Sequence, residues 1–161
     1  MTHARPANVT IRRADLADAD QVGMLAERVY RLGGWTNQDY SKRLLDGRSR
    51  IEDAVVLVAV AAGVIVGTLT AALPGSRLAG VARAEEVEVR MLAVDEAARG
   101  RGIADRLMAA CEALARDEGR TAVVLSTAPD MHAAHRLYRR RGYVRQPDRD
   151  WSTLMVFRLS L

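Results

Sequence analysis

A short segment rich in arginine and glycine, Arg99-Gly100-Arg101-Gly102, has the residue types of a site that binds an anion. It follows an apolar run that ends at Val94 and precedes a segment with helical periodicity. A strand, a turn and a helix in this order aim free backbone N–H groups and the positive end of a helix dipole at an anion. The two glycines permit positive φ angles and a close approach of the ligand. The segment therefore predicts a phosphate-binding turn, with an ordinary connection carrying two solvated arginines as the alternative.

The turn lacks two features of common nucleotide-binding motifs. It has no Gly-Lys-Ser/Thr of a P-loop and no complete G-x-G-x-x-G of a dinucleotide fold. Coenzyme A is the remaining common ligand that carries phosphate. The net charge of +4 fits either such a small ligand or nucleic acid.

Composition and periodicity indicate how the turn is held. With 161 residues, 49% of them hydrophobic, the chain is expected to form one domain over residues 1–161. Strands alternate with helices, so we expect a mixed α/β sheet covered by helices. Strands are predicted over 9–13, 54–60, 64–71, 85–94, 121–126, 143–145 and 153–159, and helices over about 19–32, 37–45, 102–117 and 133–141.

The same composition argues against a membrane or secreted protein. The longest apolar run, 54–66, is interrupted by Gly63 and is shorter than the roughly 20 residues that span a bilayer. Residues 1–8 lack the pattern of a secretory signal. Cys111 is the single cysteine, which excludes an internal disulfide. A cytoplasmic location is therefore expected.

Two motifs together resemble the GNAT superfamily of N-acetyltransferases. Residues 99–104 match its Gln/Arg-x-x-Gly-x-Gly/Ala turn, and Met91-Leu92-Ala93-Val94 looks like the end of its fourth strand. Residues 134–143 are similar to its Ala-x-x-Leu-Tyr-x-x-x-Gly-Phe/Tyr segment. The resemblance covers nearly the whole chain, and it implies a central, mixed, mostly antiparallel sheet whose fourth and fifth strands splay apart.

The resemblance also implies an activity and a donor. The chain would move an acetyl group from acetyl-CoA to an amine of a small molecule or peptide, by direct attack in a ternary complex. The backbone of the fourth strand would hold the acetyl and pantetheine groups, and the turn would hold the pyrophosphate. The implied cofactor-binding residues are Leu92, Ala93, Val94, Arg99, Gly100, Arg101, Gly102, Ile103 and Ala104.

Two catalytic residues follow from the resemblance. Tyr138 would be the general acid for the departing thiolate, since a phenol with a pKa of about 10 suits a thiol of about 8.5; a packed structural tyrosine is the alternative. Glu88 would be the general base, with Glu86 or a chain of waters as other candidates. Strand alternation puts Glu86, Glu88 and Arg90 on one face, where the carboxylates could also be simply exposed.

Four further residues have side chains of chemical interest. Met131 stands where the family often has an asparagine that contacts the cofactor, which puts that side-chain contact in doubt. His132 and His135 lack a partner at metal-ligand spacing, so no metal site is expected. Cys111, on an apolar helix face, is expected to be buried rather than nucleophilic.

In this superfamily the amine acceptor is usually bound by the first two helices and the loop before the last strand. Asp148 and Asp150 could attract a cationic amine there, and Trp35 or Trp151 could enclose it. A homodimer is compatible with this interpretation, and no membrane partner is expected. The corresponding residues are Trp35, Thr36, Asn37, Asp39, Tyr40 and Gln146 to Trp151.

Two other functions stay open. One is a silent module that binds acyl-CoA without transferring the acyl group. The other is a nucleic-acid-binding protein, which is not expected because few aromatic residues accompany the basic side chains. Its basic patch would comprise Arg136, Arg139, Arg140, Arg141 and Arg145. These arginines could instead bind the 3′-phosphate of the cofactor or form a solvated helix face.

Overall fold

The computed structural model describes residues 8–161, so the prediction about a signal segment lies almost entirely outside the described residues. The described chain forms one seven-stranded sheet with helices on its two faces. The strands are β1 (Val9–Arg13), β2 (Val55–Ala61), β3 (Val64–Ala72), β4 (Glu86–Val94), β5 (Ala122–Thr127), β6 (Val144–Arg145) and β7 (Met155–Ser160). The helices are α1 (Ala19–Gly33), α2 (Gln38–Leu45), α3 (Gly47–Asp53), α4 (Ile103–Asp117) and α5 (His132–Arg140).

The strand order is β1-β2-β3-β4-β5-β7-β6. Every adjacent pair is antiparallel except β4 and β5, which run parallel and are joined through α4. β2 and β3 form a hairpin whose turn residues, Ala62 and Gly63, are both at positive φ. The mixed, mostly antiparallel sheet expected from the sequence is therefore confirmed.

Alternation along the strands gives the sheet two apolar faces. On one face, α1 buries Val22 and Leu25 against Val56 and Val58 of β2. On the other, α4 and α5 bury a larger cluster that includes Cys111. Burial raises the pKa of the Cys111 thiol to about 12, and a thiol that stays protonated is a poor nucleophile. The expectation that Cys111 is buried is confirmed.

Helix α3 was missed by the sequence reasoning. It is short and almost entirely polar, so no apolar periodicity marks it. Asp46 begins the helix by accepting hydrogen bonds from the Ser49 N–H at 3.1 Å and the Ser49 hydroxyl at 2.7 Å. The junction of α2 and α3 packs directly on the backbone of α1. A Cβ on Gly23 would lie 2.2 Å from the Leu45 carbonyl oxygen, and a Cβ on Gly47 would lie 2.2 Å from that of Ala19.

This contact predicts the sign of a substitution in α1. Replacing glycine by alanine within a helix normally adds about 1 kcal/mol of stability. At Gly23 the new methyl group would overlap the Leu45 carbonyl, so Gly23→Ala is expected to lower the free energy of unfolding by about 1–3 kcal/mol. Urea denaturation measures the change, with Met24→Ala at the neighbouring exposed position as the control. A gain in stability would show that α1 and the α2–α3 junction do not need this close contact.

Candidate active site

The strands β4 and β5 run side by side only at their N-terminal halves. Their pairing begins at Glu86 opposite Ala122 and ends at Val89 opposite Leu125, whereas β4 continues to Val94. In the part of the chain that the structure describes, the second half of β4 pairs only with β3. The two strands therefore part beyond Val89, and the edge of β4 that would face β5 has no strand partner.

A bulge in β4 lies where the strands part. The register with β3 shifts between Thr68 and Thr70, and Met91 opposite this shift has a φ of +54°. Positive φ is uncommon for a residue other than glycine. The Met91 side chain is buried in a cluster with Ala26 and Leu44, and this packing holds the conformation. The bulge thus belongs to the same distortion that opens the gap.

The gap leads into a cleft of about 620 Å³, a volume typical of small-molecule sites. It contains all of the predicted cofactor-binding residues except Arg101, whose side chain is exposed outside it. Residues of α5 that were not among the predicted cofactor-binding residues also line it. Their signal in the sequence was the second motif, which begins at Ala134 within this helix. The lining includes Leu92, Ala93, Val94, Arg99, Gly100, Gly102, Ile103, Ala104, Val29, Trp35, Met131, His132, Ala134 and Leu137.

The glycine-rich turn at the mouth of the cleft has the backbone of an anion site. Gly100 and Gly102 have φ angles of +76° and +71°, and a Cβ on either would meet no atom within 4 Å. The first hydrogen bond of α4 joins the Arg106 N–H to the Gly102 carbonyl at 3.1 Å. The N–H groups from Gly100 to Ala104 consequently have no backbone acceptor among the described residues. Such a set of free donors at a helix N-terminus fits a phosphate group.

Tyr138 lies on α5 and is buried, with 5% of its surface exposed. Its ring packs against Tyr143 and Phe157, with centroids 5.9 and 6.0 Å apart. The Tyr143 hydroxyl donates to Glu112 at 3.0 Å, but the Tyr138 hydroxyl has no hydrogen-bond partner within residues 8–161. Burial raises the pKa of Tyr138, so its phenol keeps its proton at neutral pH. The hydroxyl is therefore free to donate to a ligand. Tyr138 does not itself line the cleft but directly follows Leu137, which does.

The comparison with family models then decides the family. The model described as "Acetyltransferase (GNAT) family" matches residues 21–143. This chain belongs to the GNAT family of acetyltransferases. A comparison with curated protein sequences gave no significant match.

Solved structures share the GNAT fold with this chain. PaiA N-acetyltransferase from Thermoplasma acidophilum, crystallised with coenzyme A, is 13% identical with a TM-score of 0.78, over 96% of this chain and 99% of the other. A GNAT acetyltransferase from Brucella melitensis, in complex with acetyl-CoA, is 22% identical with a TM-score of 0.67, over 96% and 88%. Ribosomal-protein-alanine N-acetyltransferase from the same organism is 21% identical with a TM-score of 0.66, over 94% and 99%. At these identities the likeness establishes the fold.

Glu88, predicted as the general base of this GNAT protein, also has a structural role that the sequence did not suggest. Its side chain is 1% exposed. One carboxylate oxygen, Oε1, accepts the N–H groups of Gly80, Val81 and Ala82 at 2.9, 2.7 and 2.9 Å. The other, Oε2, lies 4.0 Å from Arg90 Nε and has no hydrogen-bond partner in the described chain. Glu88 therefore anchors the loop before β4 with one oxygen and keeps the other available.

Glu86, the second candidate base, is fully occupied by other contacts. Arg149 and Arg158 both bind its carboxylate, at N–O distances of 2.8 and 2.6 Å. Burial opposes the charged form, but hydrogen bonds from Arg149, from the Arg83 N–H and from Arg158 outweigh it and lower the pKa of Glu86 to about 2. Arg90, on the same strand face, is not among its partners. At neutral pH this carboxylate holds the sheet and two loops together and does not accept a proton.

The residues suggested for acceptor binding are only partly brought together. Trp35 lines the cleft, whereas Trp151 is 49% exposed at the turn before β7. Asp150 does not offer a free negative charge, because Arg145 binds it through two hydrogen bonds of 2.7 and 2.8 Å. Asp148 is exposed. The acidic attraction proposed for this loop is therefore weaker than the sequence suggested.

Within residues 8–161 no group of His, Cys, Asp and Glu side chains is arranged to hold a metal ion. No described helix has the length and apolar character needed to cross a membrane.

Met131, in place of the family's asparagine, lines the cleft. Its sulfur accepts a weak hydrogen bond from the Thr127 hydroxyl at 3.6 Å.

The anchoring of the loop by Glu88 can be tested by hydrogen exchange. A neutral amide oxygen accepts weaker hydrogen bonds than a carboxylate, so Glu88→Gln is expected to speed exchange at the amides of Gly80, Val81 and Ala82. Glu85→Gln, at a neighbouring exposed position, is the matched control and should leave these amides protected. Unchanged exchange in Glu88→Gln would show that the loop holds its place without this carboxylate.

Proposed function

We propose that this protein is an N-acetyltransferase that uses acetyl-CoA as the acyl donor and a primary amine of a small molecule or peptide as the acceptor. The observation that carries the proposal is the phosphate-type turn from Arg99 to Ala104 opening onto the unpaired edge of β4. Complexes of the two similar structures with coenzyme A and acetyl-CoA support this choice of donor. We propose that residues 1–161 form a single domain, because one sheet takes strands from Val9 to Ser160.

The cleft provides contacts along the length of such a donor. The N–H groups of the turn would bind the pyrophosphate, with Arg99 and Arg101 adding positive charge. The backbone of Leu92, Ala93 and Val94 would pair with the amides of the pantetheine arm in place of the missing β5 neighbour. Acetyl-CoA supplies the activated thioester carbonyl; the protein binds it, orients it and excludes water.

Tyr138 is proposed as the general acid. Its hydroxyl would donate a proton to the sulfur as the carbon–sulfur bond breaks, and its raised pKa keeps that proton in place before the reaction. The absence of a hydrogen-bond partner in the described chain favours this role over a purely structural one. The same feature favours turnover over a silent acyl-CoA-binding module.

Glu88 is proposed as the group that receives the proton of the acceptor amine, directly or through a water. Its Oε2 is the oxygen that the loop leaves available. The attacking amine must be neutral, so a base near it widens the pH range of activity toward acid. Glu86 is a poorer candidate because two arginines lower its pKa.

A nucleic-acid function is less well supported by the structure. The basic patch predicted on and after α5 has much of its charge compensated, which weakens attraction to phosphate backbones. The ion pairs in the patch include Arg140–Asp105, Arg141–Glu112 and Arg145–Asp150, at 2.8, 2.7 and 2.7 Å.

A cytoplasmic location is proposed because the one cysteine is a buried thiol.

Binding of the donor predicts a shift in thermal stability. Coenzyme A at about 100 times its Kd should add about 2.7 kcal/mol to the folded state. Gly102→Glu should abolish the shift, because it places a carboxylate where the pyrophosphate would bind. Gly119→Glu is the matched control, since Gly119 has nearly the same φ, +70° against +71°, and equally open surroundings. No shift for the unaltered protein at millimolar coenzyme A would contradict the proposed donor.

The general-acid role predicts a selective loss of turnover. Tyr138→Phe keeps the packed ring and removes only the hydroxyl, so kcat should fall by about 10²–10⁴-fold with little change in affinity for coenzyme A. Release of the thiol from acetyl-CoA measures the rate. Tyr143→Phe, which removes the hydroxyl of the neighbouring ring, should keep kcat. A folded Tyr138→Phe variant with near-normal kcat would show that the hydroxyl is structural.

A further inference from the structure

A cluster of arginine and tyrosine side chains lies beside the cleft, between α1, α2, α3 and β4. It consists of Tyr30, Tyr40, Arg50 and Arg90, and we call it the arginine–tyrosine cluster. The Tyr30 ring lies edge-on to Trp35, with centroids 6.3 Å apart, and is tilted against Tyr40 at 6.0 Å. Trp35 lines the cleft. The cluster therefore borders the proposed place of acetyl transfer.

Arg50 brings a positive charge that the described residues do not neutralise. It is 1% exposed, and its Nη1 donates to the carbonyls of Arg43 and Leu44 at 2.7 and 2.8 Å. Its Nε and Nη2 are buried without a hydrogen-bond partner. No carboxylate of residues 8–161 forms an ion pair with it; Asp46, which is near enough to influence it, is exposed and bound to Ser49. A buried guanidinium without an anion is costly.

Arg90 adds a second guanidinium that is partly accessible. Its side chain is 24% exposed, and its Nη1 donates to the Leu78 carbonyl at 2.6 Å. The distance from its Nε to Glu88 Oε2, 4.0 Å, is too long for a hydrogen bond. The other acidic residue on this strand face, Glu86, is already bound by two arginines. The cluster thus has two guanidinium groups against the single carboxylate of Glu88.

Packing places the members of the cluster together. Both tyrosines pack against the buried Leu44 and Met91. Arg50 donates to the Leu44 carbonyl, and Arg90 directly precedes Met91 in β4. Burial raises the pKa of Tyr30, so its phenol stays protonated and can donate. Its hydroxyl has no hydrogen-bond partner in the described part of the chain.

We propose that the acceptor is an amine that carries a carboxylate close to its amino group. The carboxylate would bind Arg90 and the Tyr30 hydroxyl, and Arg50 would add its charge from behind. The amino group would lie toward Glu88 Oε2. The adjacent Glu88 and Arg90 have the charges that complement a zwitterion, one negative and one positive. This inference rests on the proposed acetyl transfer and specifies its substrate class.

The carboxylate could come from a free amino acid or from the side chain of an acidic residue at a peptide N-terminus. Both present the same chemistry to Arg90, and the experiment separates them. The acceptor panel contains the common L-amino acids, their carboxamides and the corresponding decarboxylated amines. It also contains peptides that begin with Asp or Glu and have an amidated C-terminus.

The first measurement is the rate of thiol release from acetyl-CoA with each acceptor. A carboxylate-bearing amine is expected to exceed its carboxamide and its decarboxylated amine by about 10-fold or more in kcat/KM, as charge-assisted hydrogen bonds are strong. Preference for free amino acids or for the acidic peptides identifies the source. Equal or better use of the carboxamides and decarboxylated amines would overturn the proposal.

The second measurement uses variants. Arg90→Gln should raise KM for the carboxylate-bearing acceptor by about 10–100-fold with a smaller effect on kcat, and it should not affect the matched carboxamide. Arg90→Lys should restore part of the affinity. Arg48→Gln and Arg77→Gln are controls, because both side chains are exposed, at 73% and 93%. Arg48 lies in the same helix as Arg50, and Arg77 lies in the loop that Arg90 contacts. If Arg90→Gln raises KM equally for the carboxylate-bearing acceptor and for its carboxamide, Arg90 does not bind the carboxylate and the proposal is overturned.

Calorimetry separates this inference from the proposed activity. Binding of the amino acids and of the decarboxylated amines is measured on the protein saturated with coenzyme A, so the result does not depend on turnover. Coenzyme A binding without any turnover would contradict the proposed transferase, while tighter binding of the carboxylate-bearing amines would still support the site. The highest concentration tested is about 10 mM, roughly 10-fold above a millimolar Kd. If no carboxylate-bearing amine binds at that concentration, the proposed acceptor site is overturned.

Discussion

The parting of β4 from β5 is the constraint on which the rest of the site depends. Backbone N–H and C=O groups inside a protein need hydrogen-bond partners, and the second half of β4 has none on its β5 side within the described chain. The bulge at Met91 and its buried packing maintain this state. An extended ligand with amide groups can pair with such an edge as a neighbouring strand would.

Buried carboxylates hold the elements that surround the gap. Glu86 joins β4 to β7 and to the loop before it through two arginines, and Glu88 gathers three N–H groups of the loop before β4. Glu112 joins α4 to the end of α5 through Arg141 and Tyr143. Each is satisfied by charged or multiple donors, which is the condition under which buried charge is tolerated. These three buried carboxylates therefore have structural roles, whereas the buried guanidinium of Arg50 has no carboxylate partner among the described residues.

Two tyrosines of unlike origin lie on opposite faces of the sheet. Tyr138 comes from α5 on one face, and Tyr30 comes from α1 on the other. No described residue binds either hydroxyl. In a fully paired sheet the strands form a continuous wall between the two faces. The missing pairing beyond Val89 interrupts that wall between the donor cleft and the region that would hold the acceptor.

The sequence by itself determined the order of the elements apart from α3, the glycine-rich turn, the second motif with Tyr138 and hence the family. These are local patterns, and strand alternation, helix periodicity and turn glycines express themselves within a few residues. Only the tertiary structure decided the partners of Glu86 and Glu88, the uncompensated charge of Arg50 and the position of Tyr30. Those outcomes depend on contacts between residues as far apart as Glu86 and Arg158. A catalytic carboxylate and a structural carboxylate look the same in a sequence, because the pKa and the role of each come from neighbours that the fold brings to it.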